Sequence, residues 1–133
     1  MDAMWWGQYG RDVMANFAGE KFTYSGSVKG VKRAKIPTTL NSGAGAILLA
    51  QELGASRITL VGYDGHAPKG NAHWHANHPG GLGNAGASHL WPEQFKKIQA
   101  LLSTPVLNCS RSTAIRCFTR GDLDSRLALD SRV

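Results

Sequence analysis

Cysteine is scarce in this chain. Only Cys109 and Cys117 occur, too few for a disulfide scaffold, so two reduced thiols in a cytoplasmic protein are expected. Long apolar runs are missing too. None approaches the roughly 20 residues needed to cross a bilayer, and no membrane partner is expected. The opening residues, Met1-Asp2-Ala3-Met4-Trp5-Trp6, have no basic segment leading into an apolar one, so no signal peptide is expected. Internal repeats and low-complexity tracts are also absent. Acidic residues are few: nine Asp and Glu against fifteen Lys and Arg leave a formal charge of +6 and a pI near 9.7.

What remains is an ordinary globular composition, 42% apolar and 18% charged over 133 residues. That length supports one domain and one core, residues 1–133. The positive charge favours phosphate-bearing partners. The basic residues are spread along the chain, with one cluster at Lys29, Lys32, Arg33 and Lys35. No aromatic residue interleaves with it, so it reads as a solvated basic loop, and nucleic acid is not the expected partner.

Alternating elements are legible. Residues 4–18 carry Trp5, Tyr9, Val13 and Phe17 at helical spacing, with Gly19 as a stop. Residues 21–24 suggest a short strand, and 26–37 a loop that could hold a second. The clearest unit is a capped helix over 44–53, a glycine, and an apolar, partly β-branched strand over 57–61. A second helix is expected over 92–102, opened by Pro92 and burying Phe95, Ile98, Leu101 and Leu102. A strand over 106–109 follows. This order predicts an α/β fold with a parallel sheet, its central strand at 57–61.

Between these units lies a stretch rich in glycine and histidine. Positions 62–86 hold seven of the sixteen glycines, Pro68, Pro79 and four of the five histidines. Residues 66–90 are therefore expected to form a long functional loop or lid.

Three groups of residues suit ligand chemistry. Asn41, Ser42 and Gly43 stand at a helix start, where free N–H groups and the helix dipole attract an anion; the same residues also suit plain helix capping. Tyr63 and Asp64 follow the strand 57–61, on the side where ligands bind parallel sheets. Asp64 there could bond a ribose or substrate hydroxyl, coordinate a metal, or simply serve a tight turn between Gly62 and Gly65. His73, His75 and His78 have a spacing that suits a divalent metal such as zinc, and equally a phosphate contact or a general base; otherwise they bond to their own loop. The string from His73 to Leu82 resembles the metallo-β-lactamase signature, but Asn77 replaces its aspartate and the chain is too short for that fold. No stoichiometric zinc is expected. Arg111, following Asn108 and Ser110, could clamp a phosphate with its planar fork.

The ordered set Asn41-Ser42-Gly43, Gly62-Tyr63-Asp64, His73-Trp74-His75, His78-Pro79-Gly80, Asn84 and Asn108-Cys109-Ser110-Arg111 resembles a group of uncharacterised phage and prophage proteins. Those proteins are similar to the Rossmann-like domain of bacterial sialyltransferases and of a pterin pyrophosphokinase-like family. The resemblance spans residues 5–127 and implies a truncated Rossmann-like three-layer sandwich, since this chain starts after the group's usual amino-terminal βαβ segment. It implies a phage-type protein in the host cytoplasm that binds a nucleotide or nucleotide sugar. A transferase-like activity would use Asp64 at a hydroxyl and His75 or His78 as base. Asn41, Ser42, Gly43, Tyr63, Asn108, Ser110 and Arg111 would hold the ligand. The alternative is a non-catalytic module that sequesters a nucleotide signal or inhibits a host defence protein; a metal-dependent hydrolase using His73, His75 and His78 comes third. A missing βαβ segment would leave a sheet edge open, so a homo-oligomer is expected.

Overall fold

The computed structural model describes residues 3–24, 26–37, 41–66, 78, 82 and 86–130. The fold is α/β. Helix α1 (Ala3–Asn16) precedes two short strands, β1 (Phe22–Thr23) and β2 (Lys32–Arg33), which pair in parallel. Helix α2 (Ser42–Glu52) leads into β3 (Ile58–Leu60). A 3-10 turn (Ser88–Leu90) runs into α3 (Trp91–Gln99), and then come β4 (Val106–Asn108), β5 (Thr119–Arg120) and α4 (Leu123–Asp130). Among the described residues no helix is long and apolar enough to cross a membrane. Cys109 and Cys117 are free thiols.

The main sheet is parallel, with the order β3-β4-β5. Its central strand is β4, which corrects the expectation that residues 57–61 lie in the middle. The cause is β5, two exposed residues too short to show any alternation. The register sets Leu60 beside Asn108 and Asn108 beside Arg120, so the carboxyl ends of all three strands lie level. Ile58 and Leu60 turn their backbone bonds towards β4, through Pro105 and Cys109. In a parallel ladder, Thr59 between them therefore directs its N–H and C=O to the other side.

The core lies between this sheet and helices α2 and α3. Ala44, Ile47 and Leu48 of α2, Phe95 and Ile98 of α3, and Leu60, Ile115 and Phe118 form one buried cluster. Its aromatic rings meet edge-on, Tyr63 with Phe95 and Phe95 with Phe118. Helix α3 places Glu93 in its first turn and Lys96 and Lys97 in its last, complementing the helix dipole. It ends earlier than the sequence suggests. Leu101 lies beyond it and is exposed, and Leu102 is half-buried.

Helix α1 also differs from expectation. Trp6, outside the Trp5-Tyr9-Val13-Phe17 stripe, is its buried aromatic, whereas Phe17 lies past the helix end and is 54% exposed. The Asn16 side chain turns back onto Asp12, and the helix stops there rather than at Gly19. The basic cluster is not simply a solvated loop. Lys32 and Arg33 form β2, and Lys32 pairs with Glu20 while lying over the Phe22 ring.

One polar side chain ties α2 to the start of β4. Gln51 Oε1 accepts from the N–H groups of Ser103 (2.7 Å) and Thr104 (3.0 Å), and Gln51 Nε2 donates to the Leu101 carbonyl (3.1 Å). Both ends of the amide are in use. Gln51→Ala should lower stability by about 1–3 kcal/mol, since it strands two main-chain donors beside a partly buried site. Urea denaturation measures this, and an unchanged midpoint would show that water replaces the clasp without cost.

Candidate functional site

Level strand ends bring together segments far apart in sequence. After β3 the chain passes Val61 and Gly62 to Asp64; after β4 it passes Cys109 and Ser110 to Arg111; after β5 it passes Gly121 to Asp122. Together they line an open cleft of about 960 Å³ outside the carboxyl ends of the three strands. Its charged residues are Asp64, Arg111, Arg120, Asp122 and Asp124.

The floor is fixed by a knot of short bonds. Asn108, fully buried, accepts from the Ser110 N–H (3.0 Å) through its side-chain oxygen, and its carbonyl accepts from Gly121 N–H (3.2 Å). Ser110 Oγ in turn accepts from the Tyr63 N–H (2.8 Å). Thr113 donates to the Tyr63 carbonyl (2.7 Å) and accepts from Ile115 N–H (3.0 Å). The Asp64 carbonyl accepts from Ala114 N–H (2.7 Å). Gly65 completes the turn with φ at +66°, and a Cβ there would stand 2.5 Å from Ile115 Cγ1, so the loop tolerates no side chain at this position. These bonds lock the end of β3 to the loop after β4.

The structure places the expected site residues in two different settings. Asp64, Ser110 and Arg111 line the cleft, with Asp64 and Arg111 exposed and Ser110 buried in its floor. Asn41, Ser42, Gly43 and Tyr63 do not line it. Asn41 caps α2 by accepting from Ala44 N–H (2.8 Å) and donates to Gln94 of α3 (2.7 Å), so both ends of its amide are engaged. Gly43 is where α2 comes close to its neighbours: a Cβ would meet the Tyr63 ring at 3.3 Å and the Phe95 ring at 3.4 Å. Ser42 is exposed at the first turn. Tyr63 packs inward, with its hydroxyl 3.4 Å from the Gly43 carbonyl, and burial pushes its phenol pKa up. The cleft at the strand ends therefore does not extend to the start of α2. A phenol ring packed on Gly43 occupies the space between them.

His73 and His75 lie outside the described residues. His78 is half-buried, His66 and His89 are exposed, and none of these three lines the cleft. Leu82, from the same stretch, is buried. Among the described residues no three His, Cys, Asp or Glu side chains gather as a metal site would need.

Arg120, Asp122 and Asp124 were not found from sequence. Asp122 caps α4 through Ser125 N–H (2.8 Å), and the bonds from the Ser125 backbone and hydroxyl hold its carboxyl below the usual carboxylate range. The Asp122 to Ser125 spacing is a helix-start signal that was there to read. Arg120 had none, being one residue of a two-residue strand.

No protein-family model, curated protein or solved structure matches this chain.

Proposed function

We propose that this protein binds a nucleotide or nucleotide sugar in the cleft at the carboxyl ends of β3, β4 and β5. The observation that carries this reading is the cleft's position at the strand ends. Parallel sheets take ligands at that edge, and here Arg111 and Arg120 are both in the lining. Guanidinium forks suit phosphate, and Asp64 suits a ribose or sugar hydroxyl. The resemblance to phage and prophage proteins with a Rossmann-like three-layer domain points the same way.

Binding alone needs only the residues that line the cleft, whereas transferase activity also needs a base from the histidine-rich stretch. A module that sequesters a nucleotide signal or occupies a host defence protein would need only the binding. Transferase-like catalysis with Asp64 and His75 or His78 is the second reading. Among the described residues no strand pairs with the side of β3 to which Thr59 turns, an edge that would serve a homo-oligomer.

Calorimetric titration of ATP, CMP and UDP-sugars tests the proposal. Wild type should bind at least one of them, and Arg111→Ala should weaken it by about tenfold or more, the worth of one charge-assisted bond. Absence of binding by every ligand would leave a protein partner as the better reading.

A further inference from the structure

Arg111 and Arg120 belong to neighbouring strand ends, and among the described residues neither is ion-paired. Three carboxylates line the same cleft, yet none of them forms an ion pair with either arginine. Asp122 is engaged instead at the start of α4. Arg120 Nη2 lies 3.5 Å from the Arg111 carbonyl oxygen, which places its guanidinium against residue 111 on one wall of the cleft. Both side chains are exposed in the lining of one cleft, so an anion bound there has two guanidinium groups within its reach.

We infer that Arg111 and Arg120 form a two-arginine clamp that selects a diphosphate over a monophosphate. This rests on the nucleotide reading above and specifies its ligand. Each planar fork engages two oxygens of one phosphoryl group, so two forks match two linked phosphoryl groups. Arg120 stands in register with Asn108 at the end of β4, and its guanidinium reaches the Arg111 main chain just beyond, so both arginines belong to one end of the sheet. Asp64 and Asp124 oppose a bare anion but accept bonds from hydroxyl groups. The favoured ligand therefore joins a diphosphate to a hydroxyl-bearing sugar, as nucleoside diphosphates and their sugar conjugates do.

The test is calorimetric titration of UDP, UMP, ADP, AMP and inorganic pyrophosphate in magnesium-free buffer, against wild type, Arg111→Ala and Arg120→Ala. Both arginines are exposed, so the variants should keep the wild-type melting temperature, which a thermal melt confirms. For wild type, each nucleoside diphosphate should bind about tenfold or more tightly than its monophosphate. Arg120→Ala should reduce that preference to within about threefold, mainly by weakening the diphosphates. Equal binding of UMP and UDP by wild type would overturn the clamp and leave the nucleotide reading standing. Equal weakening of both by Arg120→Ala would do the same. Tight pyrophosphate binding with no nucleoside dependence would keep the clamp and remove the nucleotide. Failure of all five to bind would overturn both.

Discussion

Leu60→Asp should fail to fold. Leu60 is 3% exposed on β3, packed in the cluster with Ile47, Phe95 and Ile98. A carboxylate there has no cation to meet among the cluster's apolar members. The desolvation cost of several kcal/mol falls on a domain whose whole stability is of order 5–15 kcal/mol. Near-UV circular dichroism of the purified variant should show no tertiary signal at neutral pH. Leu60→Ala is the control. It removes contacts without adding charge and should cost about 2–5 kcal/mol, leaving a protein that still unfolds cooperatively in urea. A folded Leu60→Asp variant of near wild-type stability would mean that β3 is not a core strand.

Asn108→Leu should destabilise the protein by about 2–4 kcal/mol, since it keeps the branching but loses the polar atoms and adds bulk at a buried site. Asn108 is fully buried at the end of the central strand, where its side chain accepts from the Ser110 N–H and lies 3.4 Å from Thr113 Oγ1. Leucine removes that acceptor and leaves a buried donor unmet, which costs more than the bond itself contributed. Because Ser110 holds the Tyr63 N–H, the loss should spread to the end of β3. Urea denaturation of the variant measures it. A change below about 0.5 kcal/mol with ligand binding abolished would make Asn108 a ligand residue instead of a brace.

The unit α2-β3 and helix α3 were legible because each carries a long periodic signal with its own start and stop: Asn41 before α2, and Pro92 opening α3. The class, α/β with parallel strands, followed from their alternation. The rank of the strands did not, since β5 contributes only Thr119 and Arg120, and pairing partners are a tertiary property. Helix α1 misled because the i, i+4 stripe named a plausible face, while packing chose Trp6.

The candidate site was half legible. Strand ends can be located from sequence, and Asp64 and Arg111 are at two of them. Whether a residue at a strand end faces ligand or neighbour depends on its side-chain direction. Asn41, Tyr63 and Asn108 carry polar groups that pointed equally to either use, and in the fold their bonds run to other parts of the chain. Arg120 sits beside Arg111 only because β5 pairs with β4, so no local pattern could report it.

Strand β4 is fastened at both ends, by Gln51 on Ser103 and Thr104 and by the knot joining Asn108, Ser110 and Thr113. A strand held in this way moves little along its length. The cleft floor should therefore keep its shape when a ligand arrives, and adjustment falls to the side chains standing on it. Exposed arginines and aspartates change rotamer in picoseconds to nanoseconds, far faster than a backbone segment can rearrange. A ligand taken up there would then meet a floor already in its final shape.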